Sequence, residues 1–215
     1  MKIIHHPGPE SLISCSAGSM PEAFAAVMAS HISMCPCCRR DLGMLDHVGT
    51  ALFDTLTPTP VTRPAPIIGL RADEAGLDEA TQPLSSHGDV PLPLVAVIGN
   101  SLDNIPWRRV TSSVWQHQIA LSEGHRGELR LIKVAPGQAL PEHGHSGSEI
   151  TLVLLGSYRD ATGHYRVGDV ADLCEEIEHT PVADPIEGCI CLIATDGRLV
   201  FKSRLARMVQ PLFGL

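Results

Sequence analysis

Two stretches of this chain gather side chains that can hold a metal ion. In the first, HISMCPCC, His31 is followed by Cys35 four residues on and by Cys38 three further. Spacings of i, i+4 and i+7 keep three side chains near one side of a helical path. Pro36 disfavours helix at the residue before it, so Cys35 should lie at a break and Cys38 in the first turn of a new helix. Thiolates at about 2.3 Å and imidazoles at about 2.0 Å suit tetrahedral zinc. A fourth donor is needed, and His5 and His6, just ahead of the first helix, are the obvious ones. Two imidazoles and two thiolates close the coordination sphere, which makes the site structural, with no position for substrate. Cys37 is the rival to Cys38 and would put a C-x-C pair on the ion; Cys15 reads as core. The bland alternative makes Cys35 and Cys38 small buried apolar residues, and H-x3-C-x2-C in a reducing compartment argues against it.

The second stretch is GQALPEHGHSGSEITLVLLG, where Gly137 is followed after five residues by His143, then by His145, Glu149 and Gly156. Residues of equal parity share one face of a strand, so a single strand could send His143, His145 and Glu149 inward. Thr151, Val153 and Leu155 continue that face and would line an apolar interior. A third imidazole, His179, arrives after the Gly168-Asp169 turn. Three imidazoles and a carboxylate accept Zn, Mn, Fe or Ni. Buried without a metal, these groups would be costly. Cys189 and Cys191 share a strand face as a redox pair or as ordinary packing, and Cys174 stands alone.

The elements that must position these groups differ in texture. Residues 1–60 read as a small helical domain. Glu10 to Ala17 forms a first segment with Gly18 as its stop. Ser19 and Glu22 make a capping box for the segment AFAAVMASHISM. Leu42, Leu45, Val48, Leu52 and Leu56 continue at helical spacing beyond Pro36. TPTPVTRPAP then breaks the pattern, and residues 61–90 read as a linker with one short helix around Ile67 to Ala80. From 91 to 215, short runs rich in Val, Ile and Leu alternate with Gly, Asp and Pro turns: SSVWQHQIAL, GELRLIKVA, SEITLVLLG, HYRVGDVADL, GCICLIATDG and RLVFKS. Regular short strands of this kind predict an antiparallel barrel or sandwich. The fold class is therefore α+β in two domains.

Charge narrows the function. The net charge is -8; the first 90 residues hold 5 Lys and Arg against 10 Asp and Glu. Phosphate binding needs a basic footprint, so direct nucleic-acid binding and a DNA-binding zinc finger are disfavoured. An acidic module suits a basic protein surface instead. The start MKIIHHPGPE shows no apolar signal segment and no stretch is long enough to cross a membrane, which predicts a cytoplasmic protein with reduced thiols.

The pattern H143-x-H145-x3-E149-x6-G156 resembles the first cupin motif. The second motif departs from the family, because no Pro-x-Gly precedes His179, and this weakens any inference to enzyme activity. A leading His6 with H31-x3-C35-x2-C38 resembles the zinc-binding anti-sigma domain. The fusion of the two, with EHTPVA around His179, CICLIATDG around Cys189 and the tail MVQPLF, resembles the ChrR type of anti-sigma factor. The resemblance implies structural zinc on His6, His31, Cys35 and Cys38 and a second zinc on His143, His145, Glu149 and His179 in a cupin barrel. It also implies an extracytoplasmic-function (ECF) sigma factor as partner, whose polymerase-binding surface the helical domain hides. The cupin part would be needed for release under singlet oxygen or related oxidative stress. Phe24, Val27 and Met28 are the apolar residues expected to meet the sigma factor, with packing inside the module as the alternative. The competing function is a metal-dependent cupin enzyme (dioxygenase, hydrolase or isomerase) with a zinc-stabilised helical appendage. Oligomeric state is not legible.

Overall fold

A computed structural model describes residues 2–60, 88–173, 178–197 and 199–201, without the side chains of residues 145 and 199–201. The expected linker helix, Cys174 and the C-terminal tail lie outside the described residues.

Three helices come first: α1 (Pro9–Ser16), α2 (Glu22–Met34) and α3 (Pro36–Phe53). Pro9 and Pro36 each open a helix, where the missing N–H costs nothing. Gly18 follows α1 with φ +63°, the left-handed conformation that stops a helix. The expected capping box does not form. Pro21 is the N-cap of α2 and makes no side-chain cap. Glu22 instead accepts hydrogen bonds from the Ser122 N–H and hydroxyl at 3.0–3.2 Å, fastening the start of α2 to a distant loop. Cys35 is extended at φ -106°, ψ 105°, and serves as C-cap of α2 and N-cap of α3. Arg39 folds back to donate to the Ile32 and Ser33 carbonyls, which have no partner inside the ending helix.

A fourth helix, α4 (Leu92–Ile98), stands where strand texture had been expected from residue 91 onward, followed by a single 3-10 turn at Leu102–Asn104. The strands are β1 (Arg108–Arg109), β2 (Val114–Ile119), β3 (Glu128–Val134), β4 (His143–His145), β5 (Glu149–Arg159), β6 (His164–Arg166), β7 (Val170–Leu173), β8 (Val182–Ala183), β9 (Cys189–Thr195) and β10 (Leu199–Phe201). All described pairings are antiparallel. The main sheet runs β1-β2-β3-β9-β5-β6, with β7 and β8 also pairing with β5, and β4 pairs with β10.

The continuous apolar runs have a physical cause: both faces of β3, β5 and β9 are covered. Arg130, Ile132 and Val134 on β3, and Cys189, Cys191 and Ile193 on β9, face an internal cavity. Leu129, Leu131, Ile150, Leu152, Ile190 and Leu192 face outward and join Phe24, Val27 and Met28 in one apolar cluster. Phe24 is 5% exposed, and Val27 and Met28 are 0% exposed. These three residues are thus spent on the sheet, and the expectation that they meet a partner is overturned. Fully burying such side chains stabilises by about 1.5–3 kcal/mol each, which explains why α2 docks here.

Two strand expectations also need correction. His143 and Glu149 do not share a strand: the turn at residues 146–148 separates β4 from β5. Leu155 does not share the inner face of Thr151 and Val153. The β5–β9 register slips between Val153 and Leu155, and Leu155 packs with the outer cluster. Gly156 follows at φ +67°, where a Cβ would sit 2.1 Å from the Gly188 carbonyl oxygen, so only glycine closes this approach.

Candidate metal centres

Among the described residues, the ligand atoms of His6, His31, Cys35 and Cys38 all lie within 4.8 Å of one another. The elements explain why. The helix break at Cys35 turns its sulfur toward Cys38, whose N–H donates to it at 3.5 Å. His31, one turn back on α2, brings Nε2 to 3.3 Å from Cys38 Sγ. His6 closes the group from the N-terminal strap, with Nδ1 3.5 Å from Cys35 Sγ and 3.3 Å from Cys38 Sγ. Bonds of about 2.0 and 2.3 Å to a tetrahedral ion place nitrogen and sulfur donors about 3.5 Å apart, so the spacing suits zinc. His5 is not part of the group: its ring lies 4.5 Å from that of Tyr165. Cys37 is exposed, and its sulfur accepts from Arg40 Nη2 at 3.3 Å. Cys15 is half-buried against the core, as expected.

Burial sets the electrostatics. Loss of water, reinforced by the neighbouring Cys35, pushes the Cys38 thiol up to about 12. Desolvation likewise pulls His31 down to about 4. The pocket therefore prefers neutral donors, and a dication supplies the charge that makes a thiolate favourable there. The His31 Nδ1–H donates to the Gly168 carbonyl at 2.9 Å, which puts the lone pair on Nε2, toward Cys38.

The second set lies in the barrel. His143 on β4, Glu149 at the start of β5, and His179 are all buried and line one cavity of about 80 Å3. His145 lies two residues after His143 in β4, and its side chain is outside the described residues. His143 and His179 form a backbone bridge, N–H to carbonyl in both directions at 3.2 and 3.0 Å, and their ring centroids are 4.5 Å apart. His143 Nδ1 donates to the Pro141 carbonyl at 2.7 Å, and His179 Nδ1 donates to Asp160 at 2.8 Å. Both imidazoles are thereby held in the tautomer with the lone pair on Nε2, the form a metal takes. Burial pulls His143 down to about 4 and raises Glu149. Such a donor set, a carboxyl group and imidazole nitrogens around one cavity, suits a divalent cation. Cys189 and Cys191 also face the cavity, with sulfurs 3.4 Å apart and both thiols free.

Sequence reasoning missed two charged residues here. Arg130 is buried, pairs with Glu128 and faces the cavity. Its parity with Ile132 and Val134 in ELRLIKV was the available signal. Asp160 has a fully buried side chain, and DATG reads only as a turn, with nothing to connect it to a histidine 19 residues away.

Comparisons with known proteins agree with this architecture. Residues 96–197 match the family model of the ChrR cupin-like domain. Over 213 residues the chain is 37% identical to the anti-sigma-E factor ChrR of Cereibacter sphaeroides, covering 99% of each sequence. It also matches the crystal structure of Rhodobacter sphaeroides SigE in complex with the anti-sigma ChrR, at 36% identity and TM-score 0.76, over 91% of this chain and 100% of that one. An RmlC-like cupin of Ralstonia eutropha is 22% identical with TM-score 0.42, over 48% of this chain and 71% of that one, too distant to add to the argument. Helices that end in a His and Cys cluster, an antiparallel sheet wrapped round a cavity with buried imidazoles, and similarity along nearly the whole length converge: the chain belongs to the ChrR family of anti-sigma factors.

Proposed function

We propose that the protein is an anti-sigma factor that binds and sequesters an ECF sigma factor through its N-terminal helices. The observation that carries this reading is the match to ChrR from a SigE complex, at TM-score 0.76 over 91% of this chain. Similarity along the full length, helices included, weighs against the cupin-enzyme alternative. Residues 1–60, 61–90 and 91–215 are taken as helical module, linker and cupin-like barrel.

With Phe24, Val27 and Met28 buried, the docking face must lie elsewhere. On α3, Met44, Val48 and Leu52 recur every fourth residue at 55%, 57% and 65% exposure, and Phe53 and Leu56 extend the stripe at 72% and 64%. An apolar stripe of that extent is the kind of surface a protein partner covers. His6, His31, Cys35 and Cys38 hold structural zinc, which pins the N-terminal strap to the α2–α3 break and so fixes the direction of α3. His143, His145, Glu149 and His179 hold the barrel metal, zinc in this reading, with the same donors open to Mn, Fe or Ni. The barrel serves release of the sigma factor under oxidative stress of the singlet-oxygen type, in the cytoplasm. No helix among the described residues is long and apolar enough to cross a membrane.

The test is co-expression with the cognate ECF sigma factor, followed by co-purification. The wild-type chain should form a stable complex that Val48→Asp with Leu52→Asp abolishes while far-UV circular dichroism is unchanged. Wild-type binding retained by that double variant would refute the α3 surface, and failure of the wild type to bind any ECF sigma factor would refute the function.

A further inference from the structure

The segment from Asp160 to Val170 touches both metal centres. At its barrel end, Asp160 accepts the His179 Nδ1–H at 2.8 Å on one carboxylate oxygen. The other oxygen accepts from the Thr162 N–H at 2.8 Å, the Thr162 hydroxyl at 2.6 Å and the Gly163 N–H at 3.2 Å. Since the Thr162 proton goes to the carboxylate, the Tyr165 hydroxyl must be the donor in its 3.0 Å contact with Thr162 Oγ1. The Tyr165 ring lies against the His5 ring at 4.5 Å. His5 is the residue before His6, one of the four N-terminal donors.

Beyond Tyr165 the segment holds the N-terminal strap through Asp169 and Val170 and the N-terminal centre through Gly168. Asp169 is 1% exposed, and its Oδ1 accepts from the Ile4 and His5 N–H groups at 2.8 and 3.1 Å. The Val170 N–H donates to the His5 carbonyl at 3.1 Å, which fastens the strap to the start of β7. The Gly168 carbonyl accepts the Nδ1–H of His31. One short segment thus orients His179 on one side, and on the other it holds His31 directly and His6 through its neighbour His5.

We propose that Asp160 is a positioning residue for both centres, and that the Asp160–Val170 segment couples them: metal held by His179 in the barrel tightens metal held by His6 and His31. The inference rests on the metal assignments above. A carboxylate that orients a metal-binding imidazole is worth about 10–100-fold in metal affinity. Coupling between two sites is reciprocal, so the barrel must tighten in turn when the N-terminal centre fills. The chain of contacts is continuous, and each link is a hydrogen bond, a ring contact or a peptide bond.

Cobalt(II) as the bound metal distinguishes the centres, because only the thiolate site gives intense sulfur-to-cobalt charge transfer. On full-length protein, chelator competition would be read at that band and, for the barrel, from total cobalt retained. Asp160→Asn should weaken the barrel by about 10-fold or more. It should also weaken cobalt binding at the thiolate site by about 5-fold, the lower end of typical coupling. His5→Ala, outside both donor sets, should loosen barrel cobalt by a similar factor, and Tyr165→Phe should give a smaller effect in the same direction. If Asp160→Asn loosens the barrel and leaves the thiolate site within about two-fold of wild type, the coupling is refuted. A measurement without variants guards against misfolding: thiolate-site affinity in wild-type protein carrying one or two equivalents of cobalt should differ by that factor. Equal affinities overturn the proposal. Absence of a thiolate band in the wild type would instead overturn the metal assignments themselves.

Discussion

The two candidate metal centres are built on opposite plans. Three of the four N-terminal donors, His31, Cys35 and Cys38, come from eight consecutive residues spanning one helix break, and His6 is brought to them by a short strap. The barrel donors come from β4, from the start of β5 and from a segment 30 residues later, and the sheet alone gathers them. The first centre is tight because local backbone geometry places its donors. The second depends on hydrogen bonds from outside the donor set, to Pro141 and Asp160. A locally built site suits a structural role, whereas a site assembled from distant strands can report on the state of the barrel.

The strongest way to sharpen that contrast is to delete one centre. Cys35→Ala with Cys38→Ala should remove one metal ion per chain, measured by plasma mass spectrometry, and abolish sigma-factor binding. Structural zinc contributes about 10 kcal/mol or more to isolated zinc-finger peptides, so this is the largest effect expected. Retention of the full metal content would show that the thiolates are not ligands.

Next in size is the support the two regions share. Leu152 is 0% exposed and belongs to the same cluster as Met28. Leu152→Ala should cost roughly 2–5 kcal/mol, seen as a fall in Tm, and should loosen α2 along with the sheet. A loss below about 0.5 kcal/mol would mean that the helices do not lean on this face.

Acid should erase the contrast. In metal-free protein, burial holds both His31 and His143 near 4, against about 6.5 for a solvated imidazole. Between those values the unfolded chain takes up protons that the folded chain refuses. Stability is therefore complete above about pH 6.5 and declines as pH falls toward 4, by roughly 3 kcal/mol at most for each imidazole. Denaturant titrations of chelator-treated protein across that window should show the decline, and a flat profile would contradict the burial of these rings.

The smallest effect is expected at α3. Val48→Ala and Leu52→Ala should change stability by less than about 0.5 kcal/mol, because both side chains are exposed, while weakening the sigma complex. A large loss of Tm would show that this stripe is covered within the chain.

Much of this was legible beforehand where residues close in sequence decide the outcome. The H-x3-C-x2-C spacing, the break at Pro36 and the stop at Gly18 depend on backbone preferences over a few residues, and all three are found. The runs ELRLIKV and CICLIAT were readable as strands for the same reason. The capping box was not, because Glu22 finds Ser122 a hundred residues away, a better partner than its own helix end. Leu155 was misplaced because a single register slip reverses the parity of everything after it.

Residue types and their local spacing were enough to determine that this chain carries metal donors in two groups, one in a helical and one in a strand-rich part. Only the tertiary structure decided that Phe24, Val27 and Met28 are buried and that Met44, Val48 and Leu52 are left outside. It alone joined Asp160 to His179. The physical reason is range: helix breaks and strand alternation arise from neighbours in the chain, whereas burial and the pairing of distant polar groups are settled only when separate elements pack and exclude water.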